Sequence, residues 1–94
     1  RDTFCEVGYH DLSDPKPKLT IDNNTNATLN VLLYSDNGTK YDLNIAQGRD
    51  NTWVINSGTY RTELIIPGYP SMAGGNMTLV NYKKYRWEIR KSEL

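Results

Sequence analysis

The side chains best suited to bond chemistry or metal binding in this chain are Cys5 and His10, the only cysteine and the only histidine. A thiolate and an imidazole can act as nucleophile and base, or as ligands of a soft metal. A zinc site needs further ligands, however, and a nucleophile needs a positioned base. The sequence therefore predicts no catalytic residue, no metal site and no cofactor around this pair.

Paired carboxylates are the other common source of acid–base chemistry. Asp42, Glu63 and Glu88 alternate with apolar neighbours, so we expect them on the solvated faces of strands. A carboxyl group used for acid–base catalysis usually needs burial or a close charged neighbour that changes its affinity for protons. These three residues lack that setting, and we predict that the chain is not an enzyme.

Two oxygen-rich segments, 22–26 and 36–38, have the composition of calcium ligands. Neither has the twelve-residue spacing or the terminal glutamate of a calcium-binding loop. Asn and Asp are also the residues that favour tight turns, which is the preferred interpretation. Four sequons with Thr two residues on would accept sugars in a eukaryotic secreted chain, at Asn23, Asn26, Asn37 and Asn76.

The segment 82–91 interleaves basic and aromatic residues, as a platform for single-stranded nucleic acid does. Alternation, however, places Tyr85 and Trp87 on the same face as Ile89, which indicates core positions. The eleven basic and eleven acidic residues cancel, so no net charge attracts nucleic acid or an anionic membrane. We expect no nucleic-acid partner.

The best functional candidate is the segment 67–75, which is long for a connection and rich in apolar residues. Tyr69 and Met72 are adaptable residues of the kind found at protein interfaces. Tyr34, on the less apolar face of a predicted strand, is a third candidate contact residue. The alternative is that Tyr69 and Met72 fold down and cap one end of the core.

These candidates belong to one small domain. The chain has 94 residues, 37% of them hydrophobic, which suffices for a single lean core. Residues 1–18 have no periodicity and end in Pro15 and Pro17, so we expect an extended N-terminal tether. Residues 19–91 are predicted to form the folded domain and residues 92–94 a C-terminal tail. No apolar run is long enough for membrane insertion, and we interpret the chain as a mature or trimmed fragment.

Period-two alternation runs through residues 19–91, with turn residues every eight to twelve positions. This predicts an all-β fold, a two-sheet antiparallel β-sandwich of about seven strands. Asn37-Gly38 predicts a hairpin turn. The predicted core consists of Leu19, Ile21, Leu29, Val31, Leu33, Tyr41, Leu43, Ile45, Trp53, Ile55, Tyr60, Leu64, Leu79, Tyr85, Trp87 and Ile89.

The segments 19–25, 55–60 and 67–69 resemble small immunoglobulin-like or transthyretin-like domains of bacterial envelope or secreted proteins, the carboxypeptidase-regulatory type included. The shared features are an Asn-rich turn after a strand, a Ser-Gly-x-Tyr turn and a Pro-Gly-Tyr turn. The resemblance covers about residues 19–90. It implies an extracytoplasmic (periplasmic, cell-surface or secreted) accessory or adhesive module without enzymatic activity.

Three functions therefore remain open. The favoured one is a protein-interaction or structural module that presents loops and strand edges to a protein partner or a parent assembly. The second is a carbohydrate-binding module, which requires solvent-facing aromatic rings, while Trp53 and Trp87 are expected inside. The third is an accessory or regulatory domain of an enzyme, on which the sequence is silent.

Overall fold

The computed structural model describes residues 3–9 and 15–90, which form eight strands and no helix. The strands build two four-stranded sheets, in the orders β1-β8-β2-β5 and β4-β3-β6-β7. The predicted all-β, two-sheet sandwich is confirmed. The strand bounds are β1 Thr3–Tyr9, β2 Lys18–Asn24, β3 Leu29–Ser35, β4 Lys40–Ile45, β5 Asp50–Val54, β6 Gly58–Ile65, β7 Met72–Leu79 and β8 Lys83–Arg90.

Side-chain alternation determines which face of each strand is buried. In β2 the burial alternates, so Leu19 and Ile21 are fully buried while Thr20 is partly exposed. In β8 the same alternation buries Tyr85 and Trp87. The inner faces of the two sheets pack against each other, as a sandwich requires.

The hairpin between β3 and β4 forms as its turn residues predict. Gly38 has φ of 89°, a left-handed conformation that favours glycine. The Ser35 N–H donates to the carbonyl of Thr39 at 2.9 Å, which closes the turn.

Pairing in the described sheets is antiparallel, as expected for most pairs, except for one parallel pair that the expectation of an antiparallel sandwich did not include. β2 and β8 run in the same direction, with Leu19 opposite Tyr85 and Ile21 opposite Trp87. A parallel pair needs a long connection between its strands, and here strands β3 to β7 supply it. Short connections therefore favour antiparallel pairing of strands that are consecutive in the chain. They do not determine the relative direction of β2 and β8, which are far apart in the chain.

The N-terminal segment also differs from the expectation of a tether over residues 1–18. Residues Thr3–Tyr9 form β1, which pairs antiparallel with β8 and places Phe4 opposite Trp87. The Phe4 ring stacks on Tyr85 with 5.4 Å between ring centroids. Thr, Phe, Val and Tyr favour strands, and β8 offers an edge with which they can pair. Residues 10–14 and the predicted tail at 92–94 lie outside the described residues.

The core matches the prediction at all but two of the predicted positions, and it includes two residues that were not predicted, Ile66 and Met77. Tyr41 and Trp53 are only half-buried and pack against the core from its border. Trp53 belongs to the edge strand β5, and the hydroxyl of Tyr41 accepts a hydrogen bond from the backbone N–H of Asn56 at 3.2 Å. Ile66 and Met77 complete the buried cluster, whose members are Leu19, Ile21, Leu29, Val31, Leu33, Leu43, Ile45, Ile55, Tyr60, Leu64, Ile66, Met77, Leu79, Tyr85, Trp87 and Ile89.

Candidate functional site

The connection between β6 and β7 is shorter than expected, because β7 already begins at Met72. Of residues 72–75, predicted as loop, Met72, Ala73 and Gly75 pair with β6, and the register shifts between Thr62 and Glu63, where Gly74 has no partner. The two glycines of this segment belong to that β-bulge and not to a loop. The candidate loop is therefore 66–71.

A tight turn positions Tyr69 in this loop. The Tyr69 N–H donates to the carbonyl of Ile66 at 3.1 Å, and Gly68 has φ of 87°. Proline at the second position and a positive-φ glycine at the third position are typical of a type II turn. The Tyr69 side chain projects from this turn and is 51% exposed.

Met72 behaves differently from Tyr69. It lies opposite Leu64 in the β6–β7 ladder, is half-buried, and packs against the core cluster. The two interpretations of this segment thus apply to different residues, since Tyr69 projects and Met72 covers the core.

Tyr34, the third candidate residue, lies on the outer face of the β4-β3-β6-β7 sheet. Its hydroxyl donates to Glu63 Oε1 at 3.2 Å. The Arg61 guanidinium lies 4.5 Å and the Lys40 Nζ 5.6 Å from the centre of its ring. These contacts stabilise the ring against its own sheet. The structure does not bring Tyr34 together with Tyr69, which follows the other end of β6.

A polar groove of about 290 Å³ opens between the β3–β4 turn and the β5–β6 connection. The pairing of Ser35 with Tyr60 brings these two segments together. Sequence reasoning identified both turns but not the groove, because their proximity depends on strand register. The lining residues are Ser35, Asp36, Asn37, Thr39, Asn56, Ser57, Gly58, Thr59 and Tyr60.

Tyr60 forms the buried wall of this groove. Its hydroxyl donates to the carbonyl of Asn56 at 2.6 Å, and its ring meets that of Tyr41 edge-on at 5.9 Å. Burial, together with the neighbouring Tyr41, raises the pKa of Tyr60 to about 12. The phenol therefore keeps its proton at neutral pH and acts as a hydrogen-bond donor within the fold.

Of the two oxygen-rich segments, 36–38 forms the β3–β4 turn, whereas 22–26 begins within β2 and only leaves the strand after Asn24. Asn37 Oδ1 accepts hydrogen bonds from the backbone N–H of Thr39 and from the hydroxyl of Ser35. Across the part of the chain that the structure describes, no three His, Cys, Asp or Glu side chains come together as a metal site. The cysteine and histidine that could act as metal ligands are not both described, since Cys5 lies on β1 and His10 lies outside the described residues.

Asn23 is a buried structural residue. It has no exposed surface, and its Nδ2 donates to the carbonyls of Ala27 and Ile45, each at 2.9 Å. Its Oδ1 accepts from the backbone N–H of Thr25 at 3.0 Å. Of the four sequon asparagines, the other three, Asn26, Asn37 and Asn76, are exposed.

The outer face of the β1-β8-β2-β5 sheet carries ion pairs. Arg86 contacts Asp22 at 2.6 Å, and Glu88 accepts hydrogen bonds from Arg90 and from Asn24. The Arg90 hydrogen bond is the main cause that lowers the pKa of Glu88. Tyr85 and Trp87 are buried on the opposite face, so neither ring is free to stack on a base.

The comparisons with known proteins find no relative. The sequence matches no known protein-family model, and neither characterised proteins nor solved structures give a significant match. Within the described residues, no helix is long and apolar enough to cross a membrane.

Proposed function

We propose that this chain is a non-enzymatic, extracytoplasmic protein-interaction or structural module that presents loops and strand edges to a protein partner or a larger parent assembly. The observation that supports the proposal most is the exposure of Tyr69 on a hydrogen-bonded Pro-Gly turn. Loops on rigid sandwiches commonly carry recognition.

The energetics of interfaces favour such a residue. Tyrosine is enriched among the residues that contribute most to binding, because a large ring has only two rotatable side-chain bonds. The type II turn on one side and the core contact of Met72 on the other restrict the loop before binding. A restricted loop loses less conformational entropy when a partner binds.

The extracytoplasmic location and the immunoglobulin-like or transthyretin-like kinship belong to the same proposal. They are supported by the Asn-rich, Ser-Gly and Pro-Gly-Tyr turns described above, of which the last two precede or follow β6 directly.

Site-specific cross-linking tests the function. Tyr69 is replaced by the photoreactive residue benzoylphenylalanine, and the chain is irradiated in an extract of its source organism. We expect one protein to be cross-linked from position 69 and not from the matched control position Asn44, which is exposed on β4. Cross-links that are equal from both positions, or absent from both, would contradict the proposal.

Carbohydrate binding is the second candidate, and the polar groove favours it. Asp36, Asn56 and Ser57 line the groove and offer hydrogen-bonding groups of the kind that hold sugar hydroxyls. This function also requires solvent-facing aromatic rings, whereas Trp87 is only 1% exposed and Trp53 is half-buried. Titration with a panel of monosaccharides, monitored by amide chemical shifts of residues 35–39 and 56–60, tests this candidate.

A role as an accessory or regulatory domain of an enzyme is the third possibility. It is the special case in which the partner is an enzyme, so the identity of the protein cross-linked from position 69 decides between it and a purely structural role.

A further inference from the structure

The four edge strands of the described sandwich differ in how they are protected against pairing with another strand. β4 carries Lys40 and Asp42, β5 is only five residues long and begins with Asp50, and β1 contains Glu6 next to a register irregularity. Charges, short length and irregular register all protect sheet edges. β7, Met72–Leu79, is eight residues long and contains no charged residue.

The regular part of the β7 edge is its second half. Gly75 has φ of 86°, and the β-bulge beside it interrupts the ladder with β6. From Asn76 to Leu79 the pairing with β6 is continuous. The outward side chains of this stretch, Asn76 and Thr78, are polar, uncharged and exposed.

The opposite sheet extends over this edge. Trp87 of β8 lies above Gly74 of β7, since a Cβ atom on that glycine would be 3.0 Å from the indole Cη2. β1 is the next strand outward from β8 in the same sheet. β1 therefore extends beyond β7, over the position that a further strand would occupy.

The exposure of Phe4 shows that no described strand occupies the position beside β7. It pairs with Trp87 and stacks on Tyr85, so its ring faces the inside of the sandwich. Its side chain is nevertheless 37% exposed. An inward aromatic ring with this exposure lacks a strand of the facing sheet beneath it.

We propose that an extended, uncharged segment of a partner protein adds to β7 along Asn76–Leu79, as the fifth strand of the β4-β3-β6-β7 sheet. One apolar side chain of that segment packs beneath Phe4, while main-chain hydrogen bonds to β7 supply the rest of the affinity. This inference rests on the proposed function and names the way in which the partner is held.

The geometry favours a partner segment over a second copy of the chain. If the β7 strands of two copies paired antiparallel, the β1-β8-β2-β5 sheets of both copies would lie on the same side of the combined sheet. The β1 strands of both copies would then extend over the same pair of β7 strands, where there is room for only one of them. A single strand from a partner protein brings no second β1 and so causes no such clash.

The probe is a twelve-residue peptide selected for binding to the immobilised chain from a random displayed library. We expect the peptide to slow hydrogen exchange of β7 amides between residues 76 and 79 and to shift the ring resonances of Phe4. Thr78→Lys, which places a charge on the edge, is expected to weaken the peptide roughly tenfold or more. Phe4→Ala is expected to weaken it about as much, since it removes the apolar cover.

The matched control is Asn44→Lys, an exposed position on the edge strand β4, which should leave the affinity unchanged. The amide spectrum of each free variant shows whether it is folded. The inference would be overturned if the peptide protected a different edge strand, or if the wild type and Thr78→Lys bound it equally well. It would also be overturned if β7 became protected without peptide through concentration-dependent dimerisation. If position 69 still cross-links a protein in that event, the mode of docking is wrong while the proposed function stands.

Discussion

The indole ring of Trp87 on β8 lies directly against the backbone of Gly74 on β7, across the interface between the two sheets. A Cβ atom on Gly74 would be 3.0 Å from Cη2 and 3.3 Å from Cζ2 of that indole, and closer still to the hydroxyl of Thr62. The Trp87 Nε1 has no hydrogen-bond acceptor among the described residues, so the contact is one of packing. Only glycine leaves room for the largest buried side chain of this core.

The first prediction concerns this contact. Gly74→Ala is expected to lower the free energy of unfolding by about 3 kcal/mol, since overpacking costs about 1–3 kcal/mol and the bond from Thr62 to the carbonyl of Gly75 is disturbed. The control is Gly38→Ala, where the Cβ meets open space and only positive-φ strain of about 1 kcal/mol arises. Urea unfolding measures both values. If Gly74→Ala lost less unfolding free energy than Gly38→Ala, the packing of Trp87 against Gly74 would not be tight.

The second prediction concerns the buried amide of Asn23. Asn23→Ala removes the amide donor to the buried carbonyl of Ile45 and leaves the carbonyl of Ala27 with the Thr25 hydroxyl alone, so we expect a loss of about 2–4 kcal/mol in the free energy of unfolding. Asn26→Ala, an exposed position just after the end of β2, should change it by less than about 0.5 kcal/mol. Equal effects from the two substitutions would mean that the bridge made by Asn23 adds nothing to stability.

The third prediction is a dependence of stability on alkaline pH. The pKa of Tyr60 is about 12 in the folded chain and near its ordinary value of 10.0 when unfolded. Its contribution is therefore complete below pH 10 and is lost as the pH rises toward 12, because the unfolded state releases the proton first. We expect the fall in unfolding free energy over this window to be smaller in Tyr60→Phe than in the wild type. Tyr69→Phe, the exposed counterpart, should behave as the wild type, and parallel curves for Tyr60→Phe and the wild type would refute the assignment.

The fourth prediction separates the two candidate residues of the β6–β7 segment. Met72→Ala removes a half-buried side chain that packs on the core, so it should cost about 1–2 kcal/mol of unfolding free energy. Tyr69→Ala removes a side chain that is 51% exposed and should cost less than about 0.5 kcal/mol. Thermal and urea unfolding of the two variants gives the comparison. The reverse order would place Tyr69 in the core and end its candidacy as a contact residue.

Local chemistry explains which parts of the fold could be predicted from the sequence. Alternation identified the inward faces, and the turns at Asn37-Gly38 and Pro67-Gly68 form where residue type favours them. These features depend on neighbours in the chain. The projection of Tyr69 follows from the second of these turns.

The features that could not be predicted depend on distant parts of the chain. Gly74 and Gly75 suggested a loop, yet one of them meets Trp87 across the core, and that contact lies outside any local pattern. β1 was missed because its pairing partner is β8, at the other end of the chain. The polar groove was missed for a related reason, since two turns define it only once β3 and β6 are in register.

The most direct test of the proposed function is the affinity of the partner captured from position 69 for purified variants of this chain. The account predicts that Tyr69→Ala weakens binding roughly thirtyfold, the loss expected of a central interface tyrosine worth about 2 kcal/mol, while Asn44→Ala binds as the wild type does. Equal affinity of Tyr69→Ala and the wild type would contradict the account.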